Sequence, residues 1–131
     1  MNHVLPWLPG WFSFDDLTTN VGHYSKTALD VTIAIGFVFN GIVGPIVEEM
    51  YFRGYLLPRM QSTGRWAPLV NSVLFSLYHL FSPWQNVTRI LAVVPFVYAV
   101  WWRRNISIGM VTHCILNTVG MILIFISIVN R

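Results

Sequence analysis

The sequence is poor in charge. Only 10% of its 131 residues are charged, while 55% are hydrophobic, whereas soluble globular domains carry about 25% charged residues. This composition excludes an ordinary soluble protein. It predicts a single domain whose solvent is the lipid bilayer rather than water.

Cysteine and clustered basic charge are also scarce. The single cysteine, Cys114, excludes an internal disulfide, and the chain has no Cys-x-x-Cys pair or Cys/His finger spacing. The net charge is +3, but the basic residues stand singly or in pairs between apolar runs. Nucleic-acid binding needs a continuous basic surface, so we expect no nucleic acid among the partners.

What the sequence does contain is four long stretches without Asp, Glu, Lys or Arg, at residues 31–47, 66–88, 90–102 and 105–130. A helix crosses the roughly 30 Å hydrocarbon core with about 20 mainly apolar residues. We therefore predict an all-α fold, a polytopic membrane helix bundle of about four transmembrane helices. This core is assigned to residues 28–131.

Residues 1–27 precede these stretches and carry prolines and acidic residues, so they are predicted to be an interfacial N-terminal segment that does not span. Their amphipathic aromatic side chains suit the headgroup layer: Trp7, Trp11 and Phe12.

A break is predicted in the first helix, just before Glu48. Pro45 removes a backbone donor and clashes with the preceding turn, so the helix should kink or loosen there. Inside a membrane, a loosened helix survives only where protein or a water-filled cavity satisfies the freed groups.

The segment EEMYFR continues the first apolar run with ionisable residues. Glu49 and Arg53 have the i, i+4 spacing at which opposite charges meet on one helix face. Glu48 is turned about 100° from Glu49, so Arg53 can hold one carboxylate while Glu48 faces another partner. The alternative is that the helix ends near Val47 and the segment is an ordinary solvated, charged helix end.

Two histidine motifs lie in uncharged runs. Phe75 and His79 are four residues apart, and His113 and Asn117 have the same spacing, which places both of the latter on one helix face. Polar groups at membrane depth are expensive and tend to persist where they have a function. The structural alternative stays open for each motif, because histidines and polar pairs also join helices by hydrogen bonds.

These residues are predicted to lie at similar depth. Counted at the helical rise from a loop at residues 58–65, Glu48 lies about 14 Å and His79 about 20 Å away. His113 and Asn117 lie about 10 and 17 Å from the start of a fourth helix near residue 106, on the same side of the membrane. The depths favour one shared polar cavity.

The three motifs in this order, EExxxR at Glu48, FxxxH at Phe75 and HxxxN at His113, resemble the CPBP family. That family comprises type II CAAX prenyl endopeptidases and bacterial, Abi-like relatives linked to bacteriocin processing and self-immunity. The resemblance covers about residues 28–130.

The resemblance implies an intramembrane endopeptidase. Glu48 and His79 would activate a water for attack on a peptide carbonyl, and His113 and Asn117 would stabilise the resulting oxyanion. The supporting residues would be Glu49, Arg53 and Phe75.

A metal-dependent version is also open, because Glu48, His79 and His113 are a plausible zinc ligand set and the family was long described as metalloproteases. The chain has no HExxH motif, and Asn117 is an unusual zinc ligand but a natural oxyanion donor. We therefore favour glutamate-type catalysis with no cofactor over zinc.

The expected partner is a peptide or protein substrate, with or without a prenyl group. Additional helices or subunits are also expected, because family members are usually longer. The expected location is a bacterial plasma membrane. Two other functions compete: a catalytically inactive immunity or scaffold protein, and a small proton or cation pathway, which an intramembrane Glu/His cluster also suits.

Overall fold

A computed structural model describes residues 24–129, and every regular element in that range is helical. The described residues form four main helices: α1 at Lys26–Arg59, α2 at Ala67–Tyr78, α3 at Asn86–Arg103 and α4 at Ile106–Val129. Two 3-10 turns, Gln61–Trp66 and Pro83–Gln85, lead into α2 and α3. The predicted all-α class is confirmed, while the predicted interfacial aromatics Trp7, Trp11 and Phe12 lie outside the described residues.

Helix α1 changes its hydrogen-bonding pattern on both sides of the two glutamates. π-helical segments at Phe37–Val43 and Met50–Leu56 flank an α-helical segment at Gly44–Glu49. Pro45 has no N–H to donate to the carbonyl one turn earlier, so the preceding turn is free to widen. The predicted loosening before Glu48 is confirmed.

Side chains of α4 reach the carbonyl groups of the first π-helical segment. Asn117 Nδ2 donates to the carbonyl oxygen of Asn40 at 2.9 Å, and Cys114 Sγ lies 3.8 Å from the carbonyl oxygen of Ile42. A neighbouring helix therefore supplies donors to the widened turn, as a membrane environment requires.

The predicted second helix is shorter than its uncharged run. Helix α2 ends at Tyr78, His79 follows it, and the chain turns before α3 begins at Asn86. The prediction of one continuous helix over that run is wrong. Polar groups within the run close a turn instead: Ser76 Oγ donates to Asn86 Oδ1 at 2.8 Å, and the Ser82 N–H donates to the His79 carbonyl at 3.0 Å.

Two helices in the described range are long and apolar enough to cross a membrane, α1 and the Ile106–Leu123 part of α4. Helix α2, with 12 residues, is about 18 Å long at the helical rise and falls short of a core of about 30 Å. The predicted set of about four transmembrane helices is therefore supported for its first and last members.

The buried core lies where the C-terminal half of α1 meets α2 and α3. It is built from eight apolar side chains: Phe52, Leu57, Ala67, Phe75, Val93, Phe96, Val97 and Val100. Large apolar side chains along α1 and α4 are exposed instead, for example Ile35 at 54%, Ile115 at 56% and Leu123 at 61%. Exposed apolar surface of this kind suits contact with lipid.

Candidate active site

Glu48 lies between two imidazole rings. Its Oε1 is 3.7 Å from Nε2 of His79, and its Oε2 is 3.7 Å from Nε2 of His113. The exposed fractions of the three side chains are 23% for Glu48, 15% for His79 and 8% for His113. The structure thus brings together three of the four predicted catalytic residues, from α1, the turn after α2, and α4.

His79 is oriented by the backbone of the helix that precedes it. Its Nδ1 lies 2.9 Å from the carbonyl oxygen of Phe75. A carbonyl only accepts, so Nδ1 donates its proton and the neutral ring keeps its lone pair on Nε2. The Phe75 ring also packs edge-on against the imidazole, with centroids 4.8 Å apart. The FxxxH spacing therefore directs the basic nitrogen of His79 at Glu48.

Glu49 and Arg53 form a fully buried ion pair, as their spacing predicts. Arg53 Nη1 is 3.0 Å from Glu49 Oε1, and both side chains are 0% exposed. Three aromatic rings surround the guanidinium, with centroids 4.4 to 5.9 Å from its Cζ: Phe75, Phe96 and Phe52. Aromatic faces attract a cation, which helps the buried charge to be tolerated.

The same oxygen of Glu49 also holds His113. Glu49 Oε1 lies 2.9 Å from His113 Nδ1, although the two residues are 64 positions apart. Donation from Nδ1 fixes the ring and leaves Nε2 facing Glu48. The sequence predicted Arg53 as a partner of Glu49. It did not predict His113 as a second partner, because the i, i+4 rule applies only to residues of the same helix. The two glutamates therefore do different things: Glu49 orients, and Glu48 faces both Nε2 atoms.

The close approach of α4 to Glu49 depends on Gly109. A Cβ built at this glycine would overlap Glu49 Oε2 and lie 3.2 Å from Val100 Cγ2. We expect Gly109→Ala to lower the free energy of unfolding by about 1–3 kcal/mol, because the buried carboxylate must shift away from its partners. Thermal unfolding of the purified protein in detergent measures this effect.

Gly120→Ala is the matched control, on the same helix. Among the residues that the structure describes, nothing lies within 4 Å of a Cβ built at Gly120. Because alanine is better than glycine within a helix by about 0.5–1 kcal/mol, this change should be neutral or stabilising. An unfolding temperature of Gly109→Ala equal to that of the wild type would contradict the close approach.

Asn117, the fourth predicted catalytic residue, has a different neighbour. Its Nδ2 donates to the carbonyl oxygen of Asn40 in the first π-helical segment. Among residues 24–129, no hydrogen bond or ion pair joins Asn117 directly to Glu48, His79 or His113.

Two residues shape the site without a prediction from the sequence, Gly109 and Arg89. Arg89 on α3 binds the turn that carries His79. A signal for Gly109 was present, because it lies four residues before His113 and so on the same face of α4. The signal for Arg89 was a single charge between two apolar stretches.

The alternative zinc set, Glu48, His79 and His113, has suitable donor atoms. Each histidine also has its Nδ1 held by an oxygen, as metal-binding histidines usually do. Within the described part of the chain, however, no group of three or more His, Cys, Asp or Glu side chains is arranged to hold a metal ion. The choice between a metal-free and a zinc-dependent site therefore stays a prediction, and zinc enters no step of the mechanism below.

The two long apolar helices and the partly buried Glu–His cluster are those of an integral membrane protein. A family model described as type II CAAX prenyl endopeptidase Rce1-like matches residues 30–119, a range that contains all three motifs. The chain belongs to this family, which confirms the CPBP resemblance, and at family level it is a CAAX-type intramembrane protease. Comparison with curated proteins and with solved structures returned no match.

Proposed function

We propose that the chain hydrolyses a peptide bond of a membrane-associated substrate with a water activated by Glu48 and His79. The observation that carries this proposal is the position of the Glu48 carboxylate, 3.7 Å from Nε2 of each histidine. This separation is too long for a direct hydrogen bond. A water about 2.8 Å from both atoms can bridge each pair, with an angle of about 83° at its oxygen.

In this mechanism, the water gives one proton to the Glu48–His79 pair as its oxygen forms a bond to the peptide carbonyl carbon. The carbonyl oxygen becomes an oxyanion. The C–N bond then breaks, and the proton held by the pair passes to the leaving amine. One group can serve as base and later as acid, since its protonation state reverses between the two steps.

His113 and Asn117 are proposed to donate to the oxyanion. Because His113 Nδ1 already donates to Glu49, its Nε2 has a proton to donate only when the ring is an imidazolium. Asn117 Nδ2 carries two protons and gives one to Asn40, so one remains for a substrate. Donors aimed at a developing oxyanion in a water-poor site are worth several kcal/mol, about 10²–10³ in rate.

The experiment that tests this function is a cleavage assay with purified protein in detergent. The substrates are a farnesylated peptide that ends in a CAAX sequence, the same peptide without the prenyl group, and peptides with leader junctions. We expect internal cleavage of at least one of them. No cleavage of any peptide by folded protein would favour the inactive immunity or scaffold alternative.

We expect this activity to survive metal removal. The mechanism uses only Glu48, His79, His113 and Asn117, so treatment with EDTA or 1,10-phenanthroline should leave the cleavage rate unchanged within about twofold. Loss of activity with both chelators, and its return with added zinc, would overturn the metal-free mechanism. The isomer 1,7-phenanthroline, whose two nitrogens cannot bind one metal ion together, controls for direct effects of phenanthroline on the detergent micelle.

Prenyl recognition, additional helices or subunits, and a bacterial plasma membrane as the location stay predictions. The peptide pair that differs only in its farnesyl group tests the first of them directly. Faster cleavage of the farnesylated member would favour CAAX-type processing over bacterial peptide maturation or immunity.

A further inference from the structure

The guanidinium of Arg89 binds five oxygens around the end of α2. Nη1 donates to the carbonyl oxygen of Ser76 at 3.3 Å, to Ser76 Oγ at 3.5 Å and to Asn86 Oδ1 at 3.2 Å. Nη2 donates to Ser82 Oγ at 2.6 Å and to Gln85 Oε1 at 3.1 Å. One side chain from α3 thus spans the whole turn between α2 and α3.

Two of the residues that Arg89 binds, Ser76 before His79 and Ser82 after it, are also hydrogen-bonded to the backbone of His79. The His79 N–H donates to the Ser76 carbonyl at 3.1 Å, and the His79 carbonyl accepts from the Ser82 N–H at 3.0 Å. Arg89 binds both Ser76, through the same carbonyl, and Ser82, through its hydroxyl. The backbone of His79 is therefore held by Ser76 and Ser82, and Arg89 binds both of these residues.

The surroundings of Arg89 indicate that it holds neighbouring groups in position. Ser76 and Ser82 are buried, at 0% and 1% exposure. In the described range no carboxylate forms an ion pair with Arg89, so its protons go to neutral oxygens. A helix C-terminus leaves carbonyl groups unpaired and favours a nearby cation. An arginine fork reaches two points in a fixed geometry, which the single ammonium of a lysine does not.

We propose that Arg89 is a positioning residue of the protease, which holds the turn at residues 79–82 so that His79 Nε2 faces Glu48. The proposal rests on the function proposed above. His79 lies beyond the last residue of α2, so helical hydrogen bonds alone do not set its position, and the Arg89 contacts supply the missing constraint. A small displacement of a catalytic group is enough to lower a rate about 10²-fold.

The test compares Arg89→Gln with Arg103→Gln, an exposed arginine at the end of the same helix. We expect Arg89→Gln to lower kcat by about 30- to 100-fold with KM changed by less than about twofold. Arg103→Gln should match the wild type. Arg89→Lys should fall between Gln and the wild type, because it keeps the charge and loses the fork.

A second readout, independent of activity, is hydrogen exchange of the amides of His79 and Ser82, followed by mass spectrometry. Exchange should be faster in Arg89→Gln than in Arg103→Gln, and Ser82→Ala should show a smaller change in the same direction. If Arg89→Gln does not fold, Ser82→Ala decides the matter, with an expected loss in kcat of about three- to tenfold.

A kcat of folded Arg89→Gln within about twofold of the wild type would overturn the proposal, as would a fall in kcat with unchanged exchange at the turn. If Ser82→Ala is the variant tested, a kcat and an amide exchange rate equal to those of the wild type would also overturn the proposal. A wild type that cleaves no peptide would overturn the proposed function alone, and the exchange measurement would still show whether Arg89 holds the turn.

Discussion

Glu48→Gln is expected to lower the rate of peptide hydrolysis by about 10²–10⁴ while leaving the protein folded. Glutamine keeps the size of the side chain but accepts no proton from water. Glu48 is also only partly buried, at 23% exposure, and lies 3.7 Å from the two histidines, whereas the buried guanidinium of Arg53 pairs with Glu49. The loss should therefore appear in kcat, measured with the cleaved peptide from the panel, and not in the unfolding temperature.

Asp30→Asn is the matched control. It makes the same carboxylate-to-amide change on an exposed residue of α1, far from the histidines, and should leave the rate unchanged. His79→Gln tests whether Glu48 and His79 act as a unit. If they do, the double variant should be scarcely slower than either single one, since groups that share one step are strongly non-additive. Multiplied losses in the double variant would mean independent roles.

Glu49→Leu is expected to destabilise the protein most, by about 3–5 kcal/mol, because it leaves the Arg53 guanidinium buried without its carboxylate. Both side chains are 0% exposed, so water does not replace the lost partner. Activity should also fall, because His113 loses the oxygen that orients it. Thermal unfolding in detergent and the peptide assay measure the two effects separately.

The double variant Glu49→Leu with Arg53→Met separates stability from catalysis. Replacing both members of a buried pair with apolar side chains is often neutral or stabilising, by about 1–4 kcal/mol relative to the pair. We therefore expect the double variant to recover most of the unfolding temperature while staying slow, since His113 remains unheld. Recovery of both stability and rate would show that Glu49 does not orient His113.

The parts of the site that the sequence predicts are those set by one helix. Glu49 and Arg53 meet because they are one turn apart, and Pro45 loosens the turn before Glu48 because its ring removes a donor. The start of the fourth helix at Ile106 is also as predicted. These inferences need no knowledge of which helices pack together.

The parts that the sequence did not predict depend on contacts between elements. The uncharged run after Trp66 was predicted to be one helix, because a lack of charged residues does not indicate where the helical hydrogen bonds of the backbone end. The end of α2 is set instead by side chains that meet only after folding, Ser76 with Asn86 and Arg89 with Ser82. For the same reason, no local sequence pattern predicts that one oxygen of Glu49 contacts both Arg53 and His113.

The depth argument was more successful than the helix lengths on which it relied. It placed Glu48, His79, His113 and Asn117 in one layer, and the structure puts the Nε2 atoms of both histidines 3.7 Å from Glu48, whereas Asn117 bonds to the carbonyl oxygen of Asn40. Although α2 ends before His79, its 12 residues still carry the histidine about 18 Å from the start of that helix. His79 reaches the site because α2 is long enough to carry it there, and the helix does not need to continue beyond it.

The most direct test of Glu48 as the centre of a proteolytic site is a paired mass-spectrometric assay. Purified wild type and Glu48→Gln, matched for unfolding temperature, are incubated with the same farnesylated CAAX peptide and its unprenylated twin. We predict that the wild type produces a fragment from the C-terminal end of at least one peptide and that Glu48→Gln produces none above background. Equal yields of that fragment from the two proteins would contradict the assignment.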